Sequence, residues 1–223
     1  PAPAAFTVFG IPNEQTQTTD YALKIPAVLG LIATRSVTEE VAGLSELKEK
    51  HLERIIRGQE AYVLMLQYRA GDKSPATVNR FNELKEDLGY GMLLTAYTDD
   101  VANATPEQIA QAVEDSVPQV WPLFWSFRIM VACGVSMLVL FAAAFWHSAK
   151  RTVDKPKWLL KFGVFSLPLP WIACEAGWFV AEYGRQPWAI GEILPTHLAV
   201  SQLTVTDIWI SLISIMLLYT IFV

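Results

Sequence analysis

Apolar residues follow two patterns along this chain. Through the first half they recur at helical spacing among charges, and through the second they merge into long runs. Ser45 opens an amphipathic stretch with apolar positions Leu47, Leu52, Ile55, Ile56, Tyr62, Val63 and Leu66, and Gly71 closes it. That predicts a helix with an N-cap and a glycine just past its end. A second helix is predicted from Ser74 as cap, Pro75 in the first turn and the stripe Val78, Phe81, Leu84, Leu88, with Gly89 as its stop. Thr105-Pro106-Glu107-Gln108 reads as the capping box of a third. Ile25–Thr34 is apolar but too short to span a bilayer, so it is expected to be a core or interfacial segment.

The runs come next. Ile129–Ala149 would be about 32 Å long as a helix, which matches a hydrocarbon core of roughly 30 Å. Phe162–Ala181 is similar but carries Pro168 and Pro170 near its start and Glu175 inside, which predicts a kinked or late-starting span. Ile208–Val223 is the third. The fold class expected is an all-α membrane protein, a bundle of about three transmembrane helices preceded by a largely helical extramembrane loop domain. Its parts are residues 1–118 and the membrane region 119–223, with spans at about 120–149, 162–182 and 206–223. No internal repeat or low-complexity segment interrupts this plan.

Charge supplies the orientation. Lys150, Arg151, Lys155, Lys157 and Lys161 crowd the connection between the first two spans, where Asp154 is the only acid. The positive-inside rule puts 150–161 in the cytoplasm, and so 1–118 and the second connection, Tyr183–Asp207, on the outer, periplasmic side of a bacterial cytoplasmic (inner) membrane. Before Pro118 the chain has 10 Lys and Arg against 17 Asp and Glu, net −7; from there on it has 7 against 5, net +2. An acidic outer half argues against a nucleic-acid partner. Composition, with 52% hydrophobic and 17% charged residues, excludes a disordered, collagenous or disulfide-stapled protein. Cys133 and Cys174 have no C-x-x-C spacing and read as buried packing residues. The chain begins without Met, which reads as a piece of something longer.

Several residues at membrane depth call for a reason. Glu175, Trp178 and Glu182 fall on one helical face. Carboxylates there mark an ion path, a cofactor or a polar bundle interior, although Glu182 could equally be an interfacial acid paired with Arg185. Arg128 and Met130 open the first span, either as an interfacial Arg and a packing Met or as a propionate partner and an axial heme ligand. His147 and His197 are placed at opposite ends of the bundle, and His51 is expected on a solvated helix face. Trp121, Trp125, Trp146, Trp158, Trp178, Trp188 and Trp209 fit aromatic belts first and electron relays second. Gly184-Arg185-Gln186-Pro187-Trp188 predicts a rigid outer turn that points a guanidinium back at the membrane. No Ser/His/Asp, P-loop or H-E-x-x-H pattern supports hydrolase or nucleotide chemistry.

The run Gly177-Trp178-Phe179-Val180-Ala181-Glu182-Tyr183-Gly184-Arg185-Gln186-Pro187-Trp188 closely resembles the signature of the large heme-bearing subunit (subunit I) of cytochrome bd quinol oxidases. Pro1–Gly10, Ile32–Ser36, Asp87–Leu94 and Phe127–Cys133 resemble successive segments of the same subunit, of the long-loop bacterial type. The resemblance implies three hemes near the outer face: a low-spin heme b, a high-spin heme b and a heme d that reduces O2. It implies Met130 as axial ligand of the low-spin heme b, with Arg128 beside that heme. It implies Glu182 as a carboxylate that ligates or adjoins the high-spin heme b, Arg185 near the propionates, and Trp178 as an aid to electron passage.

It further implies a quinol as substrate, a second large subunit and small single-span accessory subunits as partners, and a proton-motive force as product. The Lys and Glu of the quinol site and the histidine ligands are expected before Pro1. The chain would then be about the C-terminal half of the subunit, inactive alone. A transporter or channel subunit with an intramembrane carboxylate path through Glu175, Glu182 and Arg185 is the alternative, and a cofactor-free anchor whose outer loop binds partner subunits is a third.

Overall fold

The computed structural model describes residues 4–13, 18–36, 38–153 and 155–222. Pro1, Asp154 and Val223, named above, lie outside these.

The described chain opens with an antiparallel hairpin, β1 (Phe6–Asn13) and β2 (Thr18–Ile25), in which Phe6 faces Ile25 and Asn13 faces Thr18. Helix α1 (Val28–Thr34) follows, so the short apolar stretch is helical over seven residues. Next come α2 (Leu44–Arg69), α3 (Pro75–Leu84), α4 (Leu88–Leu93) and α5 (Pro106–Asp115). Gly43, not Ser45, caps α2, because the chain arrives extended there and takes up helical angles one residue later. Gly71 ends that region at φ +109°, a left-handed conformation that suits glycine. Ser74 caps α3 by accepting from the Thr77 amide.

The stripe expected to run unbroken to Leu88 is split. Residues 85–87 tighten into a 3-10 turn, and a new helix begins at Leu88, so Gly89 lies inside α4 and does not stop a helix. The capping box of α5 closes both ways, Gln108 N to Thr105 Oγ1 at 3.4 Å and Thr105 N to Gln108 Oε1 at 2.8 Å.

Helices α2, α4 and α5 share one core, built from Ile55, Tyr90, Leu93 and Ala112 together with Leu94 and Val101 between α4 and α5. Ile55 and Leu94 are fully buried, each stabilising the fold by roughly 1.5–3 kcal/mol. Two glycines let α2 and α4 touch along their backbones: a Cβ on Gly58 would strike the Asp87 carbonyl and Gly91, and one on Gly91 would strike the Gly58 carbonyl. His51, expected to be solvated, is packed instead. Its Nδ1 lies 2.8 Å from Ser116 Oγ and its ring 5.2 Å from that of Tyr90.

The apolar half forms α6 (Val120–Ala149), α7 (Lys157–Phe165), α8 (Leu169–Tyr183) and α9 (Val205–Phe222). Among the described residues α6 and α9 are long and apolar enough to cross a membrane, and α7 with α8 qualify as a pair bent by 41°. The bend falls at residues 166–168, where Pro168 and Pro170 remove backbone donors. Helices α6 and α8 pack antiparallel, since Leu123 near the start of α6 meets Gly184 just past the end of α8, and Tyr183 Oη donates to Gln119 Oε1 at 3.1 Å. Cys133 is buried as expected, whereas Cys174 is exposed. Between α8 and α9 the chain makes a small hairpin, β3 (Trp188–Ile190) with β4 (Leu194–Pro195).

Candidate functional site

The α6–α8 contact gathers most of the candidate residues at one end of the bundle. Met130 is half-buried on α6 and faces α8 at Gly177, where a Cβ would lie 3.0 Å from its Sδ. A side chain at position 177 would press on that thioether, which would have to give by a few tenths of an ångström. Glu182 lies five residues further along α8, roughly 7.5 Å of helical rise toward its C-terminal end. Its carboxylate pairs with the Arg185 guanidinium, both side chains about half exposed. The Glu182–Arg185 ion pair suggested by spacing is therefore present, and it leaves carboxylate surface open. Trp178 is 64% exposed on the same helix, and Glu175 is exposed one turn before it.

Arg128 does not join this group. Its Nε donates to Val8 O at 3.0 Å, Nη1 donates to Phe124 O at 2.7 Å, and Nη2 donates to Thr7 O. Its guanidinium also stacks over the Phe124 ring, 3.0 Å from the centroid. These contacts fasten β1 to the head of the first span, a tie across about 120 residues that no local pattern reveals. His147 lies near the far end of α6, close to Trp158, while His197 lies 2.9 Å from Thr95 on the outer domain, so the two are apart as expected.

Trp188 departs from expectation. It belongs to no aromatic belt; it is 7% exposed and sits in the core of the helical domain, 5.0 Å from Tyr90 in an edge-on contact. Burial pushes the Tyr90 phenol up to about 12. Arg54 lies across the same ring at 4.3 Å and donates to Asp87 Oδ1 and Glu192 Oε2, each at 2.7 Å. Burial opposes that cation, but its two carboxylate partners outweigh the effect and raise its pKa.

A helical domain joined to apolar helices that include two of membrane-crossing length among the described residues defines the class as a helical membrane protein. The family model for cytochrome bd terminal oxidase subunit I matches residues 1–223, and the chain belongs to that family. It is 46% identical over 222 residues to the cytochrome bd-II ubiquinol oxidase subunit 1 of Escherichia coli, covering 100% of this chain and 43% of that protein. It is 34% identical over 108 residues to the cytochrome bd ubiquinol oxidase subunit 1 of Bacillus subtilis, covering 48% of this chain and 23% of that protein. The chain thus spans less than half the length of these relatives. Nothing in these similarities supports a transporter or channel.

The donors present fit a heme. A porphyrin supplies its own equatorial nitrogens and asks the chain only for axial ligands, for which a thioether is suited. No cluster of three His, Cys, Asp or Glu that could hold a bare ion occurs among the described residues.

Proposed function

We propose that the chain is the C-terminal half of the heme-bearing subunit of a bacterial terminal oxidase, which oxidises quinol at the outer face and reduces O2 to water. The family match over residues 1–223 carries this reading. Its cofactors are a low-spin heme b, a high-spin heme b and heme d, which when bound carry electrons from quinol and deliver them to O2. Its partners are the N-terminal half of the same subunit, a second large subunit, small single-span accessory subunits and the lipid bilayer.

Met130 offers its Sδ to the low-spin heme b, where a soft thioether favours reduced iron. Arg128, at the same end of α6, supplies positive charge beside that heme, and its hold on Thr7 and Val8 fixes where the charge sits. Glu182 would offer its carboxylate to the high-spin heme b, and Arg185, paired with it, would offset that charge and supply a cation for the propionates. Trp178, exposed beside Gly177, would aid electron passage between the hemes.

Residues 1–118 are periplasmic and 150–161 cytoplasmic in the inner membrane. Protons from quinol are then released outside, and those consumed in water formation come from the cytoplasm. Electron transfer thereby builds a proton-motive force.

The ligand variants test this in the complete complex. Met130→Leu is expected to abolish or distort the low-spin heme b signal while leaving the oxygen-site heme in place. Glu182→Ala is expected to lose the high-spin heme b. A normal spectrum in either variant contradicts the corresponding assignment.

A further inference from the structure

The Glu182–Arg185 pair is half exposed, and an exposed ion pair by itself holds side chains weakly. What holds this one lies further along the chain. The Trp188 amide donates to the Arg185 carbonyl at 3.0 Å, and Gln186 Nε2 reaches the Glu182 carbonyl at 3.4 Å. Thr196 fastens the return strand, with its amide donating to Pro187 O at 2.7 Å and its hydroxyl 2.8 Å from Gln186 Oε1. This turn is anchored outside the membrane helices at three points.

The Trp188 ring is buried in the outer-domain core against Tyr90. The Glu192 carboxylate is gripped by Arg54, which also holds the nearly buried Asp87. The Glu192 backbone, at φ +59° in the left-handed region, presses its carbonyl onto Gly89, where any Cβ would collide with it. A non-glycine residue kept in that conformation shows that the surroundings dictate its geometry.

We propose that the outer domain positions the Glu182–Arg185 pair, with Trp188 and Arg54 as its positioning residues. This rests on the heme reading of Glu182 and Arg185. Arg54 and Glu192 are 138 residues apart in sequence, so the clasp ties the quinol-side domain to the turn that carries Arg185. A displacement of α4 is carried to Arg185 through Gly89, Glu192 and Trp188.

The test uses the complete oxidase complex and reads two signals: hydrogen exchange of amides 184–196, and the absorption band and midpoint potential of the high-spin heme b. Arg54→Gln and Glu192→Gln are expected to speed exchange in the turn roughly two- to fivefold, the effect of cutting a partly exposed pair. Both should also move the high-spin potential. Trp188→Leu should do both more strongly, and Trp188→Phe should recover most of the loss. Arg80→Gln, which cuts a surface pair with Glu60 elsewhere on the outer domain, should do neither.

Faster exchange with an unmoved heme signal overturns the proposal, and so does unchanged exchange. If Trp188→Leu fails to fold, Glu192→Gln on the exposed rim decides. Glu182→Ala run alongside separates the two ideas. Normal heme content in that variant defeats the heme reading itself, and the exchange data then decide whether the clasp holds the turn.

Discussion

Burial is the largest influence on His51 and lowers its pKa from 6.5; nearby Arg54 adds to the effect and Glu192 opposes it. The unfolded chain therefore takes up this proton first as the solution is acidified. The stabilising contribution is fully present above about 6.5 and is lost as pH falls toward the folded-state value. His197 is lowered by burial too and acts in the same sense. Arg80 holds Glu60 below its ordinary 4.5, so that contribution is lost at lower pH and leaves the histidine window separate. The protection of the α2 and α4 amides against hydrogen exchange in the full complex, corrected for the intrinsic exchange rate at each pH, should fall as the pH drops below about 6.5. His51→Gln should flatten that slope, and an unchanged slope would show that His51 does not carry it. Nothing in the sequence around His51 announced this burial, because its partners Ser116 and Tyr90 come from other helices. Trp188 eluded the sequence for the same reason: a Trp just past a span looks interfacial until the domain that receives it is known.

Local signals were readable wherever the cause was local. The Thr105 capping box and the proline break before α8 depend on residues within a turn of each other, and both form as the pattern predicted. The β1–β2 hairpin was not foreseen, because register shifts between Thr7 and Phe9 and between Phe9 and Ile11 disturb the period-two alternation that marks a strand. The division between α3 and α4 was hidden as well. There the capture of Asp87 by Arg54 and Arg57 accompanies a 3-10 turn that local helical spacing did not signal. The crossing of α2 and α4 brings the backbones together at Gly58 and Gly91, which no apolar stripe signals. Gly91→Ala forces the Gly58 carbonyl away and is expected to destabilise the outer domain by about 3 kcal/mol. Thermal unfolding of the complex, followed through the outer-domain amides, measures this. A loss under about 1 kcal/mol would mean that the crossing has slack.

On the proposed function, the helical domain, the clasped turn and the paired helices would together hold redox groups close to a water-facing substrate. The basic residues around 150–161 predict its orientation. In intact cells, with Cys133 and Cys174 replaced by Ser, a membrane-impermeant thiol reagent added outside should label Lys73→Cys and spare Lys155→Cys once the outer membrane is opened. The reverse pattern would invert the topology and move quinol oxidation to the wrong face. The match to the oxidase family covers the whole chain, and the twelve residues from Gly177 to Trp188 made it legible before any fold was known. The reduced-minus-oxidised absorption spectrum of the purified, detergent-solubilised complex containing this chain tests the central claim most directly. Bands of heme b together with the chlorin band of heme d are predicted. A featureless spectrum from intact complex would contradict the account.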